Sequence, residues 1–387
     1  MWTGRTAHES GMLGLAHRGF DLRDRDAHFM RHLAGQGYRT LLSGLQHEYV
    51  REAGEVYDVL LATEPHPLEA RDFYAADQAA EFMESNDEGP WALSVGFFYP
   101  HREFLKAEPG AGDYVKVPDP LQEAPQIRAD YADYLKTVGE MDRCFGRVIE
   151  GLKKSGQADN TVVVFTTDHG IAFPEMKCQL TGHGTGISLM LSSPSQIEGG
   201  SVRDALVSHL DLVPTLSDLL GVKAPSGLLG SSLRPLIDGE IPSVREDLFA
   251  EVNFHAAAEP ARSVRTQDFN YIVRFEEDLR QPLSNIDDSP SKELWVKDVL
   301  KNRSMERVRL FDLKRDPQER HNIADDPEYK VIRADMEARL ARWMQTTDDP
   351  LLQGDLKIPA GARVNTRTST DPRNGPFEAT EAESVSK

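Results

Sequence analysis

The chain is 387 residues long, with 44 lysines and arginines against 63 aspartates and glutamates, a formal net charge of −19. Nucleic-acid affinity rests on clustered basic residues, so this balance argues against a nucleic-acid partner. Hydrophobic residues make up 39% and charged residues 28%, a globular balance with no apolar run near the roughly 20 residues that cross a bilayer. The two cysteines, Cys144 and Cys178, are too few for a disulfide framework, and neither has a CxxC partner for zinc.

Phe29, Met30 and Leu33 recur at helical spacing, with Gly35 and Gly37 as stop signals. The run from Tyr38 to Ser43 then reads as a strand, and a second spans Trp91 to Tyr99, broken by Pro100. Between Ala107 and Arg128, prolines and glycines mark a long loop at the rim of a site. Tyr131, Leu135, Val138, Met141, Phe145, Val148 and Leu152 form one apolar stripe of a helix that Gly156 closes. Thr161 to Thr167 is a β-branched run with the character of a strand buried on both faces. Ile187 to Ser192 is another strand, and Leu210 to Leu220 a short helix with Pro214 near its start.

Strands alternating with helices imply an α/β fold, a mostly parallel sheet with helices on both faces. The expected organisation is a main domain over 1–240, a smaller C-terminal α+β subdomain over 241–350, and a tail over 351–387. The subdomain has short strands at Asp247–Val252, Tyr271–Phe275 and Arg309–Leu313, a polar irregular insertion at Glu276–Arg307, and a helix near Val331–Met344. From Pro359 onward Phe377 is the only aromatic and there is no leucine or isoleucine, which predicts a disordered tail.

Ligands of parallel sheets sit at the carboxyl ends of strands. Thr167-Asp168-His169-Gly170 ends the buried strand and presents a carboxylate beside an imidazole, a pair able to ligate one cation. Taken alone, the pair reads as well as a turn cap next to a packed histidine. His101, after the Pro100 turn, has the chemistry to bond an anionic oxygen or protonate a leaving group. His47 ends the first strand, and Lys177 follows the Asp-His pair as a fixed positive charge. Three strand ends and one adjoining loop thus deliver cationic side chains and a cation site to one sheet edge. That set suits a tetrahedral anion and predicts a hydrolase of sulfate or phosphate esters.

The order Thr3-Gly4, Gly44-Leu45-Gln46-His47, Pro100-His101-Arg102, Thr167-Asp168-His169-Gly170 and Lys177 resembles the sulfatase family of the alkaline-phosphatase superfamily. The segment from Arg309 to Ala324 is similar to that family's C-terminal signature. Phe98-Tyr99-Pro100-His101-Arg102, Gly170-Ile171-Ala172-Phe173-Pro174 and Arg262-Ser263-Val264-Arg265 resemble its heparan N-sulfatase branch. The resemblance implies that Asp168 and His169 bind Ca2+ (or Mg2+ or Mn2+). It makes His101 and Lys177 holders of the sulfate, with His101 also assisting the leaving group, and His47 the residue that orients the nucleophile. A sulfated saccharide or small sulfate ester is the implied partner. His17, His255 and Arg262 are further candidates for substrate contact.

The departures matter as much. The family's nucleophile is a formylglycine made from Cys or Ser in C/S-x-P-S-R, directly before the Thr-Gly that is Thr3-Gly4 here. Neither that motif nor the upstream acidic metal ligands of the first strand lie within residues 1–387, and Leu45 replaces a family lysine. Ser192-Ser193-Pro194-Ser195-Gln196 reads as a strand-end turn rather than a displaced motif. The expectation is an N-terminally shortened sulfatase lacking its first strand, inactive as numbered, with any secretory leader lying upstream. A phosphonate or phosphate monoester hydrolase of the same superfamily and a non-catalytic fragment are the competing readings.

Overall fold

The computed structural model describes residues 1–50, 55–62, 66–86, 89–298, 305–354 and 356–378. Its strands fall into three groups. β1 (Arg39–Gly44) pairs in parallel with β2 (Val59–Leu61) on one side and with β3 (Trp91–Gly96) on the other. β4 (Val163–Thr166) and β5 (Leu189–Ser192) form an antiparallel pair, so the parallel order expected of the sheet holds for β1–β3 and reverses at β5. β6 (Leu248–Phe254), β7 (Ala258–Arg265), β8 (Phe269–Arg274) and β9 (Val308–Asp312) build a four-stranded antiparallel sheet in sequential order.

Helices flank the parallel sheet, each following its apolar pattern. α1 (Phe29–Gly35) drives Phe29, Met30 and Leu33 into a core with Leu42 of β1 and Val213 and Leu216. α2 (Leu68–Ser85) lays Ala75, Ala76 and Ala79 fully buried, small residues that let α3 (Pro125–Lys154) approach closely. A Cβ on Gly151 of α3 would stand 2.4 Å from that of Ala80, so glycine is required at this contact. Pro125 opens α3 where a missing N–H costs nothing. α4 (Leu212–Leu220) ends at Gly221, which takes φ +65°.

The apolar stripe of α3 does not close into a core. Leu135 is 42% exposed, and Met141, Phe145, Val148 and Leu152 line a cleft between β3 and β4. The cleft has a volume of about 1380 Å³, walled by Leu93, Val95, Val164, Phe145, Leu216 and Leu220 among others. Every residue of β3 and β4 is only half-buried. Among the described residues β3 pairs with β1 alone and β4 with β5 alone, so each strand turns one unpaired edge to the cleft.

The C-terminal sheet is finished by contrast. Val264, Tyr271 and Leu310 on one face meet Met336, Leu340 and Met344 of α6 (Lys330–Thr346). The Glu276–Arg307 insertion contains a helix, α5 (Pro290–Asp298), and its residues 299–304 lie outside the described part.

The tail departs from the disorder expected of it as far as Glu378. Ala362 and Val364 are buried against Phe20 and Phe254. Arg18 binds Asn365 Oδ1 at 2.9 Å and the carbonyls of Arg363 and Pro372, and Asn365 bridges to Ala257. Low apolar content misled here because the segment docks through backbone and buried-polar hydrogen bonds, which composition does not register. Residues 379–387, the end of the expected tail, lie outside the described residues.

Candidate active site

β1, β3 and β4 end at the same edge of the molecule, and the loops that follow bring the candidate residues together. Gly44 closes β1 with φ +86°, and the chain turns there to place His47. After β3 the chain passes through Pro100 to His101, and the next residue anchors the turn. Arg102 forms a two-pronged ion pair with Asp130 of α3 (2.7 and 2.8 Å), donates Nε to the Ala172 carbonyl and stacks on Phe104 and Phe173. This buried pair ties the His101 loop to the loop that follows Asp168 and His169. After β4, Gly170 is needed because a Cβ there would lie 1.8 Å from the His183 carbonyl oxygen; close approach, rather than an unusual backbone angle, selects the glycine.

Lys177 Nζ lies 3.4 Å from His101 Nε2 and donates to Asp287 Oδ2 at 3.0 Å. His101 Nδ1 is 2.6 Å from the Arg102 carbonyl oxygen. A carbonyl only accepts, so Nδ1 carries the proton and Nε2 presents its lone pair toward Lys177. His17 and His47 are ring neighbours, with centroids 4.9 Å apart. The Phe98 ring lies 4.8 Å from that of His101.

Burial sets the protonation of this cluster. It lowers the pKa of His101, to which the Lys177 ammonium adds, and that of His47, to which His101 adds. His17 is lowered to about 4 by burial and then by His47. His255 is lowered to about 3 by burial and the nearby Lys177 charge, and its Nδ1 is buried without a hydrogen-bond partner. These imidazoles are neutral near pH 7 and act by hydrogen bonding, so Lys177 supplies the fixed charge.

Asp168 and His169 stand side by side. His169 Nδ1 is 2.6 Å from the Gly170 carbonyl oxygen, and Nε2 is 3.3 Å from Asp168 Oδ2. With the proton on Nδ1, a carboxylate oxygen and an imidazole lone pair face one another, as two ligands of one cation do. The donor types therefore suit a metal, but their number does not. Among the described residues no group of three or more His, Cys, Asp or Glu side chains is assembled, whereas Ca2+ takes about six to eight oxygens. These two residues do not by themselves enclose an ion.

Arg262 is not at the site. Its side chain is fully buried, bound to Asp349 through Nε and Nη2 (2.6 and 3.0 Å), with Glu251 3.5 Å away. The motif that singled it out marks a buried ion pair of the C-terminal sheet. Three residues near the site carried no sequence signal strong enough to find them. Asp287 sits in the polar insertion. His209, whose Nε2 is 2.9 Å from Thr166 Oγ1, lies inside what reads as a helix start and is lowered to about 4, chiefly by burial. Arg71 stacks on Phe98 from α2, with its carbon 4.2 Å from the ring centroid.

Residues 1–222 match the family model described as Sulfatase. The chain belongs to the sulfatase family. Residues 180–309 of this sulfatase also match the model described as N-sulphoglucosamine sulphohydrolase, C-terminal. Human N-sulphoglucosamine sulphohydrolase is 30% identical over 412 aligned residues, covering 90% of this chain and 80% of the relative. Among solved structures, a 2-O GAG sulfatase aligns with a TM-score of 0.70 at 19% identity, over 93% of this chain and 82% of that one. A chain solved in complex with its substrate D-glucosamine-2-N,6-O-disulfate gives a TM-score of 0.67 at 18% identity, over 89% of each chain. The architecture is thus the alkaline-phosphatase-like fold of sulfatase-type hydrolases.

Proposed function

We propose that this site takes the sulfuric ester or sulfamate group of a sulfated amino sugar. The observation that carries this reading is the pairing of Lys177 Nζ with His101 Nε2 at 3.4 Å, a charged and a polar group from separate elements aimed at one point. Lys177 would hold a sulfo oxygen, and His101 would assist the departing oxygen or nitrogen once its Nε2 has taken up a proton. His47, beside His17, would orient the attacking group. Asp168 and His169 would contribute two ligands to a Ca2+, Mg2+ or Mn2+ ion, whose chemistry would be to neutralise charge on the sulfo group. The relatives named above for glucosamine sulfates support the choice of substrate.

Residues 1–387 would turn over slowly or not at all. Covalent sulfatase chemistry needs an activated nucleophile, and neither cysteine offers one. Burial in α3 pushes the Cys144 thiol up to about 12, and burial likewise raises Cys178. The cleft between β3 and β4 supports the same reading, since two unpaired edges and apolar walls fit one further strand. Assays with 4-nitrocatechol sulfate and glucosamine N-sulfate, each with Ca2+, test the proposal together with calorimetric binding of glucosamine N-sulfate. Binding without turnover is the expected result. Robust turnover would refute the inactivity, and preferential hydrolysis of a phenyl phosphonate would move the substrate class.

A further inference from the structure

Lys177 is a nearly buried ammonium, 8% exposed in its side chain, and its partner Asp287 is 17% exposed. Both ends of this pair are held by one chain of buried hydrogen bonds. Two residues before Asp287, Asn285 accepts from the Ala257 N–H at 2.7 Å and donates to Glu259 Oε2 at 2.9 Å. The other oxygen of Glu259 takes Arg274 Nη1 at 2.6 Å, and Arg274 Nη2 donates at 2.7 Å to Gln179, two residues after Lys177. Each of these four side chains is buried. Ile286 and Trp295 pack beneath the same segment, and Ser291 of α5 donates to Asp130, the carboxylate that holds Arg102 next to His101. The loop of Lys177, the turn of His101 and the segment of Asp287 are therefore braced against one another by buried hydrogen bonds and ion pairs, while Gln179 Nε2 and Arg274 Nε within the chain have no partner.

Lys177 has three N–H donors. One meets Asp287 and one points at the His101 Nε2 lone pair, which leaves one for an anion. The charged and titratable groups that interact with His101 are Lys177, Asp287, His169, His47 and His17. A carboxylate so close to an anion-binding lysine opposes the anion by simple charge, so its presence calls for a second role.

We propose that Asp287 is the positioning residue of the site: it holds the Lys177 ammonium against His101, so that one Lys177 N–H meets the His101 Nε2 lone pair and the remaining one faces the substrate anion. This rests on the reading of Lys177 and His101 as the sulfo-group cradle. The sign of one effect separates positioning from charge alone. Removing a carboxylate beside an anion site should tighten anion binding if charge is all that matters. If Asp287 positions Lys177, the same removal weakens it.

The test compares the full chain with Asp287→Asn, Asp287→Glu and Lys177→Met, all checked for unchanged melting. Calorimetry with glucosamine N-sulfate and with inorganic sulfate should show Asp287→Asn weaker by about tenfold, the scale of one charge-assisted hydrogen bond, with partial recovery in Asp287→Glu. Histidine NMR should show His101 as the Nδ1–H tautomer. Its titration midpoint should rise most in Lys177→Met and less in Asp287→Asn, because in the latter the released lysine and the lost carboxylate act in opposite senses. Equal or tighter anion binding in Asp287→Asn, or a His101 midpoint that falls there as loss of the carboxylate alone requires, overturns the proposal. Should the unmodified chain bind neither anion, the sulfo-cradle reading fails, and the NMR comparison still decides the role of Asp287.

Discussion

The two halves of this molecule solve the same problem to different degrees. In the C-terminal sheet the strands run β6 to β9 in order, α6 covers one face, and three arginines have buried carboxylate partners: Arg262 with Asp349, Arg274 with Glu259, and Arg265 with Glu319. In the N-terminal half, β3 and β4 each leave an edge unpaired among the described residues, and the best apolar stripe in the sequence faces a cleft. Hydrophobic pattern is thus sufficient to make helices and strands, but a finished core needs every edge and face to meet a neighbour. The residues proposed for chemistry lie on the open half, braced from the closed half by the Gln179–Arg274–Glu259–Asn285 chain.

The largest effect that would test this contrast comes from breaking the closed half. Arg262→Ala leaves Asp349 buried without its partner and should destabilise by about 3–5 kcal/mol, read from urea denaturation. A loss under about 1 kcal/mol would mean that the pair is solvated and the closed half less closed than described. Next, amide hydrogen exchange should divide the molecule. Residues of β7 and β8 should exchange only through global unfolding, and those of β3 and β4 through openings several kcal/mol less costly. Equal protection in the two sheets would erase the distinction.

The smallest effect is in pH. His17 and His209 titrate near 4 when folded, against an ordinary 6.5. Between those values the unfolded chain binds more protons than the folded one, so stability is present above about pH 6.5 and declines as pH falls toward 4. His8 has the opposite sign. Its pKa is raised by Glu251 against the opposing effect of burial, so its contribution is complete below 6.5 and fades as pH rises through the raised value. Melting temperatures at pH 7 and pH 5 should show the loss, and His209→Gln should reduce the slope. An unchanged slope would show that His209 titrates alike in the folded and unfolded chain.

Much of this was legible in advance. The strand ends expected at Ser43 and Thr167 fall within a residue of the observed ones at Gly44 and Thr166, whereas the strand expected to run to Tyr99 ends at Gly96. Lys177 and His101 meet as the motif order implies, and His17 joins His47. Arg262 misled because a conspicuous arginine gives no sign in sequence of whether its partner is a ligand or a buried aspartate 87 residues on. Asp287 was silent for the same reason: its meaning depends on Lys177, which lies 110 residues earlier. The docking of residues 356–378 was invisible to composition, since that segment is fastened by its backbone, by Arg18 and Arg367, and by a few apolar side chains around Val364.

That fastening bears on how the protein folds. Arg18 and the groups that receive its guanidinium, at Arg363, Asn365 and Pro372, lie as much as 354 residues apart. Contacts of such separation cost loop-closure entropy before they reward it and form slowly. The loop that carries His17 beside His47 is thus fastened by one of the longest-range contacts described, and its order should be among the later features to form on folding.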